Sequence, residues 1–174
     1  MSDNRPTFIF NDDNSKTIRA GGIIFYKKDI LTKQIKIFMQ YTERVGLDGI
    51  KRNVYEDIGG KTDKKDLCIN DTIIRETVEE TNNIITNEII KEHLDKNPHC
   101  IYLKKSKYYL LLVEANKTIT SIDRRTFGKN EELSGKFRQF HWIDSNRLTS
   151  KGTPFNERIW LMRKDINEYF STLL

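Results

Sequence analysis

No apolar run in this chain of 174 residues approaches the length needed to cross a bilayer, and Met1 to Asn14 lacks the apolar stretch of a secretory leader. Cysteine is nearly missing. Cys68 and Cys100 are the only two and lack metal-ligand spacing, so they are expected as free thiols in a reducing, cytoplasmic compartment. Internal repeats, low-complexity segments and linkers are also missing, which leaves room for one good core. The expected organisation is an N-terminal arm over residues 1–16 and a single domain over residues 17–174. No RNA-binding motif is visible, and aromatic residues are not interleaved with basic ones. His93, His99 and His141 are isolated and receive no chemistry.

What the chain does contain is Gly59-Gly60-Lys61, a polar loop, and then Asp71 to Thr81. The spacing predicts a helix over residues 71–81, with Glu76, Glu79 and Glu80 projecting from one side. Ile74 and Val78 would occupy the opposite side, with Ile73 and Thr77 at its margin. Three acids that close repel one another. Arg75 offsets part of the charge, and a divalent cation would offset far more. Oxygen ligands with no Cys or His nearby suit a hard ion such as Mg²⁺ or Mn²⁺. The competing reading is an ordinary solvated acidic face paired with Lys and Arg, which leaves the Gly-Gly turn and the residue order unexplained.

Gly60, Arg75-Glu76 and Glu79-Glu80 resemble the core of a Nudix box, which here runs from Gly60 to Asn83. The stretch from Gly60 to Arg75 is one residue longer than the family pattern. Asp66 stands where Glu is usual, Thr77 where an apolar residue is usual, and Asn82 where a late Gly is usual. Asn tolerates left-handed backbone, so Asn82 can still end the helix. The insertion falls in the preceding loop, where it costs least.

In chain order, residues 1–14 read as a frayed arm or a short edge strand. Thr17 to Tyr26 reads as a strand holding Gly21-Gly22, either facing substrate or packing tightly on the helix. Lys33 to Tyr41 is a second strand, and Thr42 to Val54 a long polar loop. Asp71 or Thr72 caps the catalytic helix. Ile84 and Ile85 form a short strand, Asn87 to Leu94 a helix, and residues 99–115 a hairpin around Lys105-Ser106. Asn116 to Gly135 is irregular, Phe137 to Ile143 is the last strand, and residues 144–148 form a short helical turn. Thr153-Pro154 starts the final helix. The expected fold class is α+β, an α/β/α sandwich with a mixed sheet between the catalytic and C-terminal helices.

The resemblance implies hydrolysis of a diphosphate bond, with Mg²⁺ (or Mn²⁺) held by Glu76, Glu79, Glu80 and the Gly60 carbonyl. It assigns Arg75 to orienting a carboxylate and Asp66 to a neighbouring structural role. It also implies a distant acid acting as metal ligand or base, for which Glu131 is preferred over Glu132. The net charge of +5 beside an acidic site places basic residues elsewhere, which suits a polyanionic substrate or simple solubility. Arg44, Lys51, Arg52, Lys61 and Gly22 are the candidate substrate contacts. Lys27, Lys28, Lys64, Lys65, Arg124 and Arg125 are further loop cations. Tyr41, Tyr55 or Phe127 would stack on a base or belong to the core. A nucleoside or dinucleoside polyphosphate, or a diphosphoinositol polyphosphate, is the expected substrate, with capped RNA as the alternative. An inactive Nudix-fold module that binds a ligand or RNA is the alternative of another class.

Overall fold

The computed structural model describes residues 4–11, 13–29, 31–46 and 48–174, so the start of the expected arm lies outside the described residues. Alternating apolar residues in the middle of the chain build a mixed sheet. Its strands are β3 (Ala20–Asp29), β4 (Gln34–Val45), β5 (Lys51–Glu56), β6 (Ile58–Lys61), β7 (His99–Leu103), β8 (Tyr108–Glu114) and β9 (Arg138–Asp144). The path runs β5-β4-β3-β8-β7, with β6 on β3 and β9 on β4. The β3–β8 pairing is parallel, and the others are antiparallel. Two earlier strands, β1 (Phe8–Phe10) and β2 (Asp13–Ile18), form a hairpin of their own.

Side chains alternate across the sheet, so each strand feeds two cores. Ile23, Phe25 and Phe38 face α1 (Ile69–Glu80) and α2 (Asn87–Leu94). Ile24, Tyr26, Ile37 and Met39 face α4 (Glu157–Ser171), which supplies Ile159, Met162, Ile166 and Phe170. A short helix, α3 (Lys117–Ser121), closes the α1 side with Ile119. The result is the expected α/β/α sandwich. Among the described residues no helix is long and apolar enough to cross a membrane, and Cys68 and Cys100 are free.

Several local expectations change. The strand predicted over residues 17–26 is broken at Arg19 into β2 and β3. The loop predicted over residues 42–54 is mostly a hairpin, with Thr42 opposite Val54 and Arg44 opposite Arg52. Ile84 and Ile85 lie in a turn rather than a strand, and Ile85 is buried beneath α2. Helix α1 starts before Asp71. Cys68 is its N-cap, and Asp71 at the third position accepts from the amides of Leu67 (2.9 Å) and Cys68 (3.2 Å). The last helix starts after Pro154, capped by Asn156, whose Oδ1 accepts from Ile159 N at 2.9 Å.

Candidate active site

The glycines ahead of α1 are required by what lies against them. Gly22 and Gly59 are directly opposite in the β3–β6 pair. A Cβ on Gly22 would overlap Asp57 and Tyr108, and one on Gly59 would overlap the backbone of Gly21 and Gly22. A Cβ on Gly60 would overlap the carboxylate of Glu76. The strand therefore offers a bare backbone on which two acids of α1 are seated: Glu76 against Gly60, and Glu80 accepting from Gly59 N at 2.9 Å. Gly22 itself is buried in this packing and reaches no surface, which corrects its expected substrate contact.

α1 is turned differently from the simplest reading of its sequence. Ile73, Thr77 and Glu80 form the buried stripe, while Ile74 and Val78 are half-buried at its margin. Glu80 therefore points into the protein, where Gln40 Nε2 donates to it at 3.0 Å. Burial pushes its carboxyl up to about 8, and the nearby Glu56 and Glu76 add to the rise. Glu76 is also raised, chiefly by burial; Arg75 opposes the rise, while Glu79 and Glu131 add to it.

Arg75 is the hub. Its guanidinium donates to Lys61 O (2.9 Å), both oxygens of Asp66 (3.2 and 3.1 Å), Glu76 (2.8 Å) and Glu79 (3.4 Å). Burial disfavours its charge, but Asp66 and Glu76 outweigh that and raise its pKa. Asp66 in turn accepts from Thr72 Oγ1 and Asp63 N, both at 2.7 Å, so the shorter acid still reaches its partners.

The other expected contacts divide. Arg44 stands at the rim of the site, held by both oxygens of the buried Glu56. Lys51 and Arg52 sit on the exposed outer part of the β4–β5 hairpin, paired with Glu43 (2.9 Å) and Asp48 (2.7 Å), and are not brought to the carboxylates. The Lys61 side chain is exposed, and what it gives the site is its backbone carbonyl. Phe127 is core, packed on Phe38 and Phe140. Tyr41 and Tyr55, with ring centroids 4.8 Å apart, lie on the α4 side of the sheet, near His141 and Phe155. Arg124 and Arg125 line a separate cavity of about 260 Å³ with Lys129 and His141. Glu131 is close enough for its charge to act on Glu76.

Sequence reasoning missed Gln40, Glu56, Asp57, Lys136, Arg138 and Arg158. Lys136 is half-buried with Nζ 4.0 Å from Glu56, and burial and Arg44 lower its pKa while Glu56, Glu80 and Glu131 oppose that. Arg138 is 1% exposed, and its Nε and Nη1 have no hydrogen-bond partner among the described residues. Behind the glycines, Asp57 is fully buried, accepting from Tyr108 Oη and from Arg158 (3.1 and 2.6 Å). One signal was available: Lys136, Arg138 and Phe140 follow a period of two, so both cations share a face with a core residue.

Among the described residues no three His, Cys, Asp or Glu side chains converge into a ready-made metal cage. The donor set still fits a hard divalent ion: Glu76 and Glu80 flank the Gly59-Gly60 backbone, Glu79 shares Arg75 with Glu76, and all donors are oxygens.

No protein-family model and no curated protein matches the chain. Solved structures do. One described as a C. elegans Ap4A hydrolase binary complex aligns with a TM-score of 0.52 and 16% identity, over 89% of this chain and 98% of that one. One described as a Nudix hydrolase from M. smegmatis, RenU, aligns with a TM-score of 0.50 and 8% identity, over 89% and 87%. At these identities the likeness is one of fold: the mixed sheet between helices is the arrangement those proteins share.

Proposed function

We propose that this chain is a Nudix-type pyrophosphohydrolase that uses Mg²⁺ or Mn²⁺ to cleave a diphosphate bond in a polyphosphorylated small molecule. The observation that carries the reading is the seating of Glu76 and Glu80 on Gly60 and Gly59, with Arg75 tying Glu76 to Glu79. Glu76, Glu79, Glu80 and the Gly60 carbonyl would hold the ion, which when bound offsets phosphate charge and lowers the pKa of water. Arg75 keeps two of these carboxylates in register and does not touch substrate. Arg44 and Lys136, both partly exposed beside Glu56, supply positive charge for the outer phosphates. Glu131 is assigned as the proton acceptor for attacking water, because its charge acts on Glu76 as well as on Arg138.

The nematode structure carries the name Ap4A hydrolase, so a dinucleoside polyphosphate is the first substrate to try. A nucleoside triphosphate, a diphosphoinositol polyphosphate, a nucleotide sugar and capped RNA complete the panel. Phosphate and pyrophosphate release with Mg²⁺ is measured for the parent and for Glu79→Gln. Turnover of a small polyphosphate that falls at least about tenfold in the variant supports the reading. Turnover of capped RNA alone would transfer the assignment to decapping. The inward turn of Glu80 favours a second reading, a ligand-binding module without catalysis; its mark is tight binding of one panel member with no turnover of any.

A further inference from the structure

Asn82 stands where the family pattern has Gly, and its backbone supplies what Gly would, a left-handed φ of +51° that ends α1. Its side chain does something Gly could not. Nδ2 donates to the carbonyls of Phe127 and Asn130, each at 3.0 Å. Oδ1 accepts from the backbone N–H of Glu132 at 2.8 Å and from Nη2 of Arg138 at 2.7 Å. Two donations and two acceptances are the full capacity of a carboxamide.

The pattern of those bonds matters more than their number. In a parallel ladder, a strand holds residue i of its neighbour by donating to the carbonyl of i−1 and accepting from the N–H of i+1. The Asn82 amide donates to the carbonyl of residue 130 and accepts from the N–H of residue 132, so it grips Glu131 from both sides. The segment held this way is folded on itself. Glu131 N donates to Lys136 O at 2.9 Å, Gly135 N donates to Glu131 O at 2.7 Å, and Asn130 is bridged to Phe137. Its far side is tied down as well, by Thr42 Oγ1 on Phe137 O at 2.8 Å.

We propose that Asn82 is a positioning residue whose side-chain amide acts as a one-residue strand, docking the backbone of Glu131 onto the end of α1. It thereby sets the separation between Glu131 and the carboxylates of that helix. The catalytic consequence rests on the hydrolase reading; the clamp itself rests on the hydrogen bonds.

The test uses Asn82→Gly, which keeps the left-handed backbone and deletes only the amide. Amide hydrogen exchange is compared at Glu132, whose N–H the amide holds, and at Gly135, whose N–H the segment holds internally. Protection is expected to fall at Glu132 and to persist at Gly135, with a lower melting temperature because the buried Arg138 also loses its bond to Oδ1. In the activity assay Asn82→Gly and Glu131→Gln are each expected to lower kcat about 10- to 100-fold with KM held, and the double variant to be no worse than Glu131→Gln alone. Unchanged protection at Glu132, or kinetic losses that multiply in the double variant, would overturn the proposal. A parent that turns over nothing counts against the hydrolase reading alone, because the exchange comparison decides the clamp without it.

Discussion

The side chain of Glu80 shows how the position of a carboxylate on a helix decides its chemistry. One residue earlier, Glu79 stays half-exposed and shares the Arg75 guanidinium. Glu80 falls in line with Ile73 and Thr77 and is carried inside, where one amide N–H from Gly59 and one from Gln40 replace water. Two neutral donors do not offset the burial of a charge beside Glu56, so the carboxyl rises from 4.5 to about 8. Between those two pH values the folded chain holds a proton that the unfolded chain has lost, so stability declines as pH rises through this window. Calorimetry of the metal-free protein from pH 5 to 9 is expected to show a falling melting temperature, and Glu80→Gln to flatten the decline. An equal slope in both proteins would mean that Glu80 is not its source.

At the scale of elements, the site depends on two antiparallel strands paired where neither carries a side chain. Gly22 and Gly59 let β3 and β6 approach over the Asp57–Tyr108 pair, which Arg158 links to α4. Gly22→Ala places a methyl against Asp57, Tyr108 and the Ile58 carbonyl, and backbone cannot yield as a flexible side chain would. Urea unfolding is expected to show a loss of about 1–3 kcal/mol or more; a loss within experimental error would count against this packing. Sequence alone revealed elements with a strong apolar pattern: the alternation of Ile35, Ile37 and Met39 in β4, the helical spacing of Ile159, Met162 and Ile166 in α4, and the nearly all-apolar β8. The β4–β5 hairpin was hidden because residues 43–45 and 51–53 are exposed and no apolar alternation marks them. The start of α4 was misplaced because Tyr55 holds residues 154–156 extended, donating to Pro154 O at 2.7 Å and accepting from Asn156 N at 3.0 Å, a contact no local signal announces. For the same reason the α1 acids were legible as a site, whereas Glu56 and Lys136, joined only through the sheet, were not.

For the whole molecule, the net charge of +5 conceals a local balance. Glu56, Glu76, Glu79, Glu80 and Glu131 gather near Arg44, Arg75, Lys136 and Arg138, and the cations hold the acids together with one buried carboxyl left protonated near neutrality. A divalent ion that binds the folded chain must compete with that proton, so its stabilisation should grow with pH. An ion present at 100 times its Kd adds about 2.7 kcal/mol, and each kcal/mol raises the melting temperature of a chain this size by about 2–4 °C. Melting curves with and without Mg²⁺ are therefore expected to separate by several degrees at pH 8.5, to lie closer together at pH 6, and to coincide in the Glu76→Gln, Glu79→Gln double variant. Coinciding curves for the parent at both pH values would leave the acids of α1 as structural charges balanced by Arg75, and would turn the reading toward the ligand-binding module. A separation that grows with pH and vanishes in the double variant ties the ion to Glu76, which the fold seats on Gly60, and to Glu79, which shares Arg75 with it.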